Sequence, residues 1–188
     1  ESGSFYFNSS GSNVLHATNV VSSKIINDLN FTSLDSFSNK GLVNNFGIFT
    51  RNINSVGKNS IYYKNSPQSE LIGMLNYNLS MPLRKNYKNI IDTLIPRVSF
   101  KFNPNDMKNH ANSGRRIDIN NIFAPDRLGL GDSFETGESL TVGVDFIREK
   151  INEIDEIEDY LDFKLATVFR FKEEKNIPIG STINKKTS

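Results

Sequence analysis

Long segments in which apolar and polar residues alternate constrain the fold of this chain more than any other feature. From Glu70 to Leu83 every second residue is apolar or glycine, and the residues between them are mostly polar. The apolar set is Leu71, Gly73, Leu75, Tyr77, Leu79, Met81 and Leu83. Successive side chains of a β-strand point to opposite sides, so this period predicts a strand with one apolar face and one amide-rich face.

The same alternation recurs along the chain. It is regular in three further segments, namely Ile95–Asn103, Ser139–Glu149 and Tyr160–Lys172, and weaker in Ile25–Thr32 and Leu42–Arg51. Ser4–Asn8 and Val14–Val21 are expected to be strands with less regular faces. No long segment has a helical period. The sequence therefore predicts an all-β fold, an antiparallel up-and-down meander.

The lengths of the strands and connections favour a membrane barrel. Strands of soluble domains centre on five or six residues, whereas a tilted strand needs about nine to eleven residues to cross a bilayer. The segments 84–93 and 150–159 are predicted to be moderate connections on one side, with the long loop 104–137 on the other. Outer-membrane barrels show this asymmetry, and a structureless loop of such length is unusual in a compact soluble domain.

Charged residues on the polar faces leave a second interpretation open. Arg97, Lys101, Asp162, Lys164 and Arg170 would suit a water-filled lumen as well as the outer surface of a soluble β-sandwich. The period alone does not decide which face meets water.

Composition excludes several classes of function. Twenty-two basic and 21 acidic residues give a net charge of +1, which provides no global field for nucleic acid. No apolar run is long enough for a membrane helix, and the absence of cysteine excludes disulfides and thiolate metal sites. His16 and His110 stand in no zinc or catalytic-triad pattern. We therefore predict no enzyme activity, no metal and no cofactor.

The long loop 104–137, between the second and third regular segments, contains the candidate site residues. Gly129-Leu130-Gly131 lacks the remainder of a dinucleotide fingerprint, and Asp118-Ile119-Asn120 lacks the central glycine and final glutamate of a calcium loop. The glycines are expected to permit tight turns. Asp126, Arg127 and Asp132 are expected to pair with one another or with charges of the polar face, because an enclosed charge is costly without a partner.

Arg115 and Arg116 form a basic pair near the start of this loop. Basic side chains bind phosphate groups, so the pair is a candidate for contact with lipid phosphate. A solvent-exposed pair without a ligand is the alternative.

Several short elements resemble the barrel domain of the LPS-assembly protein LptD (organic solvent tolerance) family. Their order along the chain supports the likeness, which extends over residues 41–172. The loop elements are Asn120, Asn121, Phe123, Asp126, Arg127, Gly129, Gly131 and Asp132, and the flanking elements are Met81-Pro82-Leu83, Leu94-Ile95-Pro96-Arg97-Val98 and Gly137 to Val144. Ser133 stands where the family pattern has a second arginine.

The resemblance implies a role in the cell outer membrane of a Gram-negative bacterium. Proteins of that family are large β-barrels preceded by a periplasmic jelly roll; a plug lipoprotein, LptE, fills them, and an LptA-like periplasmic bridge supplies lipopolysaccharide. The chain, residues 1–188, would be a middle section of such a barrel, without the jelly roll or signal peptide. Its apolar faces would meet membrane lipid. The eight loop residues would have a structural and gating role in the lumen.

Three other functions remain open at this point. The chain could belong to a porin-like outer-membrane channel, or to a soluble periplasmic β-sandwich whose long loop binds glycan. A membrane hydrolase is the least favoured, because two isolated histidines supply no nucleophile and base pair.

Overall fold

The computed structural model describes residues 2–16, 19–152 and 156–181, and these residues form one antiparallel sheet of nine strands without a helix. The strands are β1 Gly3–His16, β2 Val20–Ser33, β3 Ser36–Phe37, β4 Val43–Lys58, β5 Gln68–Ser80, β6 Leu83–Tyr87, β7 Ile90–Asn103, β8 Gly137–Ile151 and β9 Ile157–Arg170. The predicted all-β antiparallel meander is confirmed. These residues contain no helical segment of membrane-spanning length and hydropathy.

The sheet is a meander with two edges. Its strands follow the order β1-β2-β4-β5-β7-β8-β9, and β3 and β6 pair with β4 and β7 respectively. β7 pairs with β6 through residues 90–94 and with β5 through residues 97–102. β5 and β6 are therefore one long strand interrupted at Met81 and Pro82, where proline has no N–H to donate to a ladder. The first and last strands, β1 and β9, do not pair with each other.

The expected connections at 84–93 and 150–159 are wrong in extent. Most of the first is a hairpin in which Lys85 lies opposite Asp92, and the chain reverses at Lys88, whose φ is 50°. Strand β8 continues to Ile151 and β9 begins at Ile157. Pairing with neighbours and cross-strand charge pairs extend the strands beyond the segments in which the side chains alternate.

The expected strands at 4–8 and 14–21 are also corrected. β1 runs unbroken from Gly3 to His16, and β2 starts at Val20. Asn19 has a φ of 56°, a left-handed conformation that asparagine adopts more readily than most residues. A hairpin turn therefore lies inside the second expected strand.

The apolar face of the sheet is the exposed one. We call it the outer face; Phe163 on β9 is 54% exposed and Leu165 is 62% exposed. Other exposed members are Phe5, Leu29, Ile48, Leu71, Leu75, Tyr77, Phe100, Val142, Leu161 and Phe169. The opposite, inner face is largely polar and is buried on parts of β4, β5, β7, β8 and β9, where Ser99 and Thr141, for example, are 0% exposed. The usual polarity of a soluble sheet is reversed here.

The long connection 104–136 covers the inner face and supplies most of the apolar core. One buried cluster comprises Met107, Ile117, Ile122, Leu128, Leu130, Val168 and Ile177, and a second comprises Ile53, Ile72, Met74 and Phe134. Most members of the first belong to this loop, and Ile177 belongs to the segment after β9. The core lies between the loop and the sheet.

Candidate functional site

Side chains of the inner face hold the backbone of the long loop. Arg51 of β4 donates from Nη1 to the carbonyl of Leu130, and Lys101 of β7 donates from Nζ to the carbonyl of Ala124. The Asn103 amide donates to the Phe134 carbonyl at 3.3 Å. Buried carbonyls of an irregular loop need such partners, because an unpaired one costs about 1–3 kcal/mol. Polar residues at alternate strand positions thus fix the loop.

A buried ionic cluster lies at the end of this loop. Arg127 donates from Nη2 to Glu135 Oε1 at 2.6 Å and from Nε to Oε2 at 2.5 Å. Arg170 of β9 contacts the same carboxylate. Arg127 also donates to Thr141 Oγ1 at 3.2 Å and to Ser139 Oγ at 3.1 Å on β8. The cluster ties two loop positions to the last two strands.

These surroundings shift the pKa values of two loop carboxylates in opposite directions. Burial raises the pKa of Glu135, but the charge and hydrogen bonds of Arg127 and the charge of Arg170 outweigh it and lower the pKa from 4.5 to about 2. Burial raises the pKa of Asp126, opposed by the Gly129 N–H and the charge of Arg51. Glu135 is therefore the permanent counter-charge of the cluster at neutral pH.

The Phe123 ring packs against Gly143, where any side chain would collide with it. A β-carbon at Gly143 would lie 2.9 Å from the Phe123 ring, 2.7 Å from the Leu165 carbonyl oxygen and 2.8 Å from the Ala166 β-carbon. The guanidinium carbon of Arg97 lies 4.7 Å from the centroid of the same ring, within the range of a cation–π contact. The loop aromatic is thus held between a strand glycine and a strand arginine.

Asn120 and Asn121 form part of a turn within the loop. The Asn121 Oδ1 accepts the Asp118 N–H at 2.9 Å, and its Nδ2 donates to the Arg116 carbonyl at 2.9 Å. The Asn120 N–H donates to Asp118 Oδ1 at 2.9 Å. These contacts are local side-chain to backbone bonds of the kind that stabilise turns.

Asp126 and Gly129 form the next turn. Asp126 Oδ1 accepts the Gly129 N–H at 2.9 Å, and Gly129 has a φ of 56°, where glycine has no steric penalty. Gly131 is exposed, and a β-carbon there would meet no atom within 4 Å.

The expected pairing among Asp126, Arg127 and Asp132 is corrected. Arg127 pairs with Glu135, and Asp132 lies 2.8 Å from His110 Nε2. Asp126 accepts a backbone bond instead. Partner choice depends on which side chains the folded loop brings together. The sequence signal for Glu135 was only that a buried arginine requires a carboxylate, and several loop carboxylates met that requirement.

The two candidate phosphate ligands have separate surroundings. Arg115 Nη1 donates to the Leu128 carbonyl at 2.7 Å. Arg116 Nε lies 3.0 Å from Asp118 Oδ2 with 66% of its side chain exposed. Both arginines are exposed, but Arg115 binds a carbonyl of the loop, whereas Arg116 forms a surface ion pair.

The segment 171–181 fixes the far side of the loop. The His110 N–H donates to the Asn176 carbonyl at 3.0 Å, and the Ile179 N–H donates to the Ala111 carbonyl at 2.9 Å. The Ile117 N–H donates to Ser181 Oγ at 3.0 Å. The loop is consequently clamped between the inner face of the sheet and the chain that follows β9.

The described residues 2–16, 19–152 and 156–181 contain no cluster of three His, Asp or Glu side chains that could hold a metal ion. The site consists of the long loop bound to the inner face of the sheet. Arg51 and Lys101 of the strands bind loop carbonyls, and Arg170 contacts the Glu135 carboxylate. Comparisons with protein-family models, with curated proteins and with solved structures found no match.

Proposed function

We propose that the chain is a wall section of an outer-membrane β-barrel that assembles lipopolysaccharide into the outer leaflet. In this proposal the outer face contacts membrane lipid and the inner face lines the lumen. The loop 104–136 narrows that lumen and has no catalytic role. An LptE-like plug lipoprotein and an LptA-like bridge are the partners that the sequence resemblance suggests.

The reversed polarity of the sheet is the observation that carries the proposal. Large apolar side chains such as Phe163 and Leu165 are exposed, whereas Ser99 and Thr141 are fully buried. Exposed apolar surface of this extent on a soluble protein marks an interface or a membrane contact. A barrel wall has this arrangement, because its lipid-facing residues are apolar and its lumen-facing residues are polar.

Strand length and topology also support a barrel wall. The strands β4 and β8 have 16 and 15 residues, more than the nine to eleven that a tilted strand needs to cross a bilayer. The sheet has open edges at β1 and β9, which further strands of a larger barrel would pair. The turn at 88–89 and the end of β8 at Ile151 lie at the opposite end of the meander from the long loop, as short turns do in outer-membrane barrels.

The two alternative functions predict different features of the sheet and the loop. A soluble glycan-binding sandwich would need its apolar face covered by a second sheet, and the described residues cover the polar face instead. A porin-like channel fits the docked loop, which would form its constriction. The loop and strand elements around Phe123, Arg127 and Gly143 favour lipopolysaccharide assembly over a porin because they resemble the LptD family.

Depletion in the native cell tests these functions together. The expected result is recovery of the protein with the outer membrane and a fall in newly made lipopolysaccharide at the cell surface after depletion. Unchanged surface lipopolysaccharide with reduced uptake of small solutes would establish the porin-like channel instead. Recovery in the soluble periplasm would contradict both barrel functions.

A further inference from the structure

The outer face is not uniform along the sheet. On β9 it is apolar from Leu161 to Phe169, with Thr167 as the exception. On β1, β2 and β4 the lower half is apolar, whereas the upper half is mixed and includes Leu15, Val21, Ile25 and Val56. The other residues of the upper half, toward the end of the meander where the long loop lies, are mainly small hydroxyl and amide residues, namely Ser9, Asn13, Ser23, Asn27, Asn52 and Asn54, with Ser69 of β5 beside them. We call these seven residues the amide patch.

Hydrogen bonds join the side chains of the amide patch in three groups, and Ser23 Oγ donates to Asn13 Oδ1 at 2.9 Å in one of them. Ser9 Oγ donates to Asn27 Oδ1 at 2.7 Å, and Asn52 Nδ2 donates to Ser69 Oγ at 3.1 Å. Asn54 Nδ2 donates to Asn52 Oδ1 at 2.5 Å. None of the seven side chains carries a charge. An amide has two donor hydrogens and a carbonyl with two lone pairs, so the patch presents both donors and acceptors.

An apolar groove lies directly below the patch. It has a volume of about 350 Å³ and is lined by Ser2, Phe5, Leu29, Phe31, Ile48 and Thr50. The rings of Phe5 and Phe31 are 4.8 Å apart. A β-carbon at Gly3 would lie 2.6 Å from the Phe31 ring, so the glycine gives this ring its place. Neighbouring register positions connect the groove to the patch, since Leu29 pairs with Thr50 and Asn27 with Asn52.

We infer that this groove and the amide patch together bind one glycolipid, with an acyl chain in the groove and an uncharged sugar on the patch. The inference rests on the proposed placement of the outer face in lipid. Sugar hydroxyls both donate and accept hydrogen bonds, as the amides and hydroxyls of the patch do. A phosphocholine head group has acceptors and a quaternary cation but no hydrogen-bond donor, so it matches this uncharged surface less well.

The position of the patch agrees with that occupant. Long loops of outer-membrane barrels face the cell exterior, and the patch lies toward the end of the sheet where loop 104–136 lies. A head group in the outer leaflet would therefore meet it. The paired amides at this boundary would exchange contacts with water for contacts with sugar.

The absence of tryptophan from the chain permits a site-specific test. The full chain is reconstituted in phosphatidylcholine vesicles containing galactosyl diacylglycerol, as an Ile48→Trp variant in the groove and a Leu165→Trp control. Bromine is placed on the acyl chains of one lipid or the other, and quenching of the indole gives the relative association of each lipid. Leu165 lies in the middle of the apolar run of β9, away from the patch.

The expected result is about a fivefold preference for the galactolipid at Ile48→Trp, the ratio that one net hydrogen bond gives, and no preference at Leu165→Trp. Adding Asn27→Leu and Asn52→Leu should remove the preference while both lipids still quench. Equal quenching by the two lipids at Ile48→Trp would contradict the glycolipid site but not the placement of the outer face in lipid.

Two further outcomes separate this inference from the proposed function. An unquenched Ile48→Trp beside a quenched Leu165→Trp would mean that protein, such as a second copy of the chain, covers the groove, and the inference would fall. Absence of quenching at both positions would contradict the placement of the outer face in lipid, and so both proposals.

Discussion

The ring of Phe123 lies directly over Gly143, 2.9 Å from where a β-carbon at that glycine would be. Phe123 belongs to the long loop and Gly143 to the inner face of β8, so the contact exists only when the loop is docked. Arg97 of β7 lies against the same ring at 4.7 Å. Gly143 of β8 and Arg97 of β7 therefore form the binding site for the Phe123 ring of the loop.

We expect Gly143→Ala to destabilise the protein by about 1–3 kcal/mol, the usual cost of adding a methyl group to a filled site. The reason is steric, since the added carbon would press on Phe123, on the Leu165 carbonyl and on Ala166. Urea unfolding in detergent micelles measures the change. Gly131→Ala is the matched control and should have little effect, because its β-carbon would meet no atom within 4 Å.

A double-mutant cycle separates the loop contact from crowding within the sheet. If the ring of Phe123 contributes to the cost, Gly143→Ala should be less destabilising in a Phe123→Ala background by about 0.5 kcal/mol or more. Strict additivity would mean that the sheet alone resists the methyl group.

We expect Glu135→Gln to cost about 3–5 kcal/mol, because it leaves the buried Arg127 and Arg170 without a counter-charge. Trypsin should then cleave after Arg127, which is buried in the parent protein. Glu138→Gln changes an exposed carboxylate only three residues away and should leave unfolding within about 0.5 kcal/mol of the parent. Equal resistance of the two variants to trypsin would contradict a locking role for Glu135.

The lowered pKa of Glu135 predicts a pH dependence of loop docking. Its stabilising contribution is fully present above 4.5, the ordinary value, and is lost as the pH falls toward the folded-state value of about 2. The raised pKa of Asp126 acts in the opposite direction, since its protonation is favoured in the fold. The difference in urea midpoint between the parent and Glu135→Gln isolates the Glu135 contribution. That difference should be constant from pH 7 to pH 5 and shrink below pH 4.5.

Arg115 and Arg116 should behave differently although they are adjacent. Arg115→Ala removes a bond of 2.7 Å to the Leu128 carbonyl from an exposed side chain and should cost about 0.5–1.5 kcal/mol. Arg116→Ala removes a surface ion pair of a kind worth about 0–1 kcal/mol. Thermal unfolding of the two variants gives the comparison. Equal effects would contradict the different surroundings of the two side chains.

The alternating sequence was sufficient to predict the sheet but not its exact strands. The period in Tyr160–Lys172 and Glu70–Leu83 follows directly from which side chains face out. The hairpin at 84–93 has no such period, and the carboxylate of its Asp92 pairs with Arg148 of β8. Local composition does not reveal a cross-strand partner.

The turns of the long loop could be predicted from its residue types, but its ion pairs could not. Asn121, Asp126 and Gly129 form turns, which their residue types favour. The partner of Arg127 depended on the path of the loop, which brings Glu135 and Arg170 to it from eight residues away and from another strand. Gly143 lies in the element Gly137 to Val144 of the family resemblance, but the reason for a glycine there, the ring of Phe123, required the folded structure.

In a bilayer, the apolar outer face should meet lipid, and the polar inner face should meet the lumen and the loop. The chain has no cysteine, so single cysteines at each position from 161 to 169 can carry a spin label after reconstitution in phospholipid vesicles. Collision with oxygen, which concentrates in lipid, should peak at 161, 163, 165, 167 and 169 and fall at the positions between them. The opposite phase, or high collision with a water-soluble nickel complex at Phe163 and Leu165, would contradict the account.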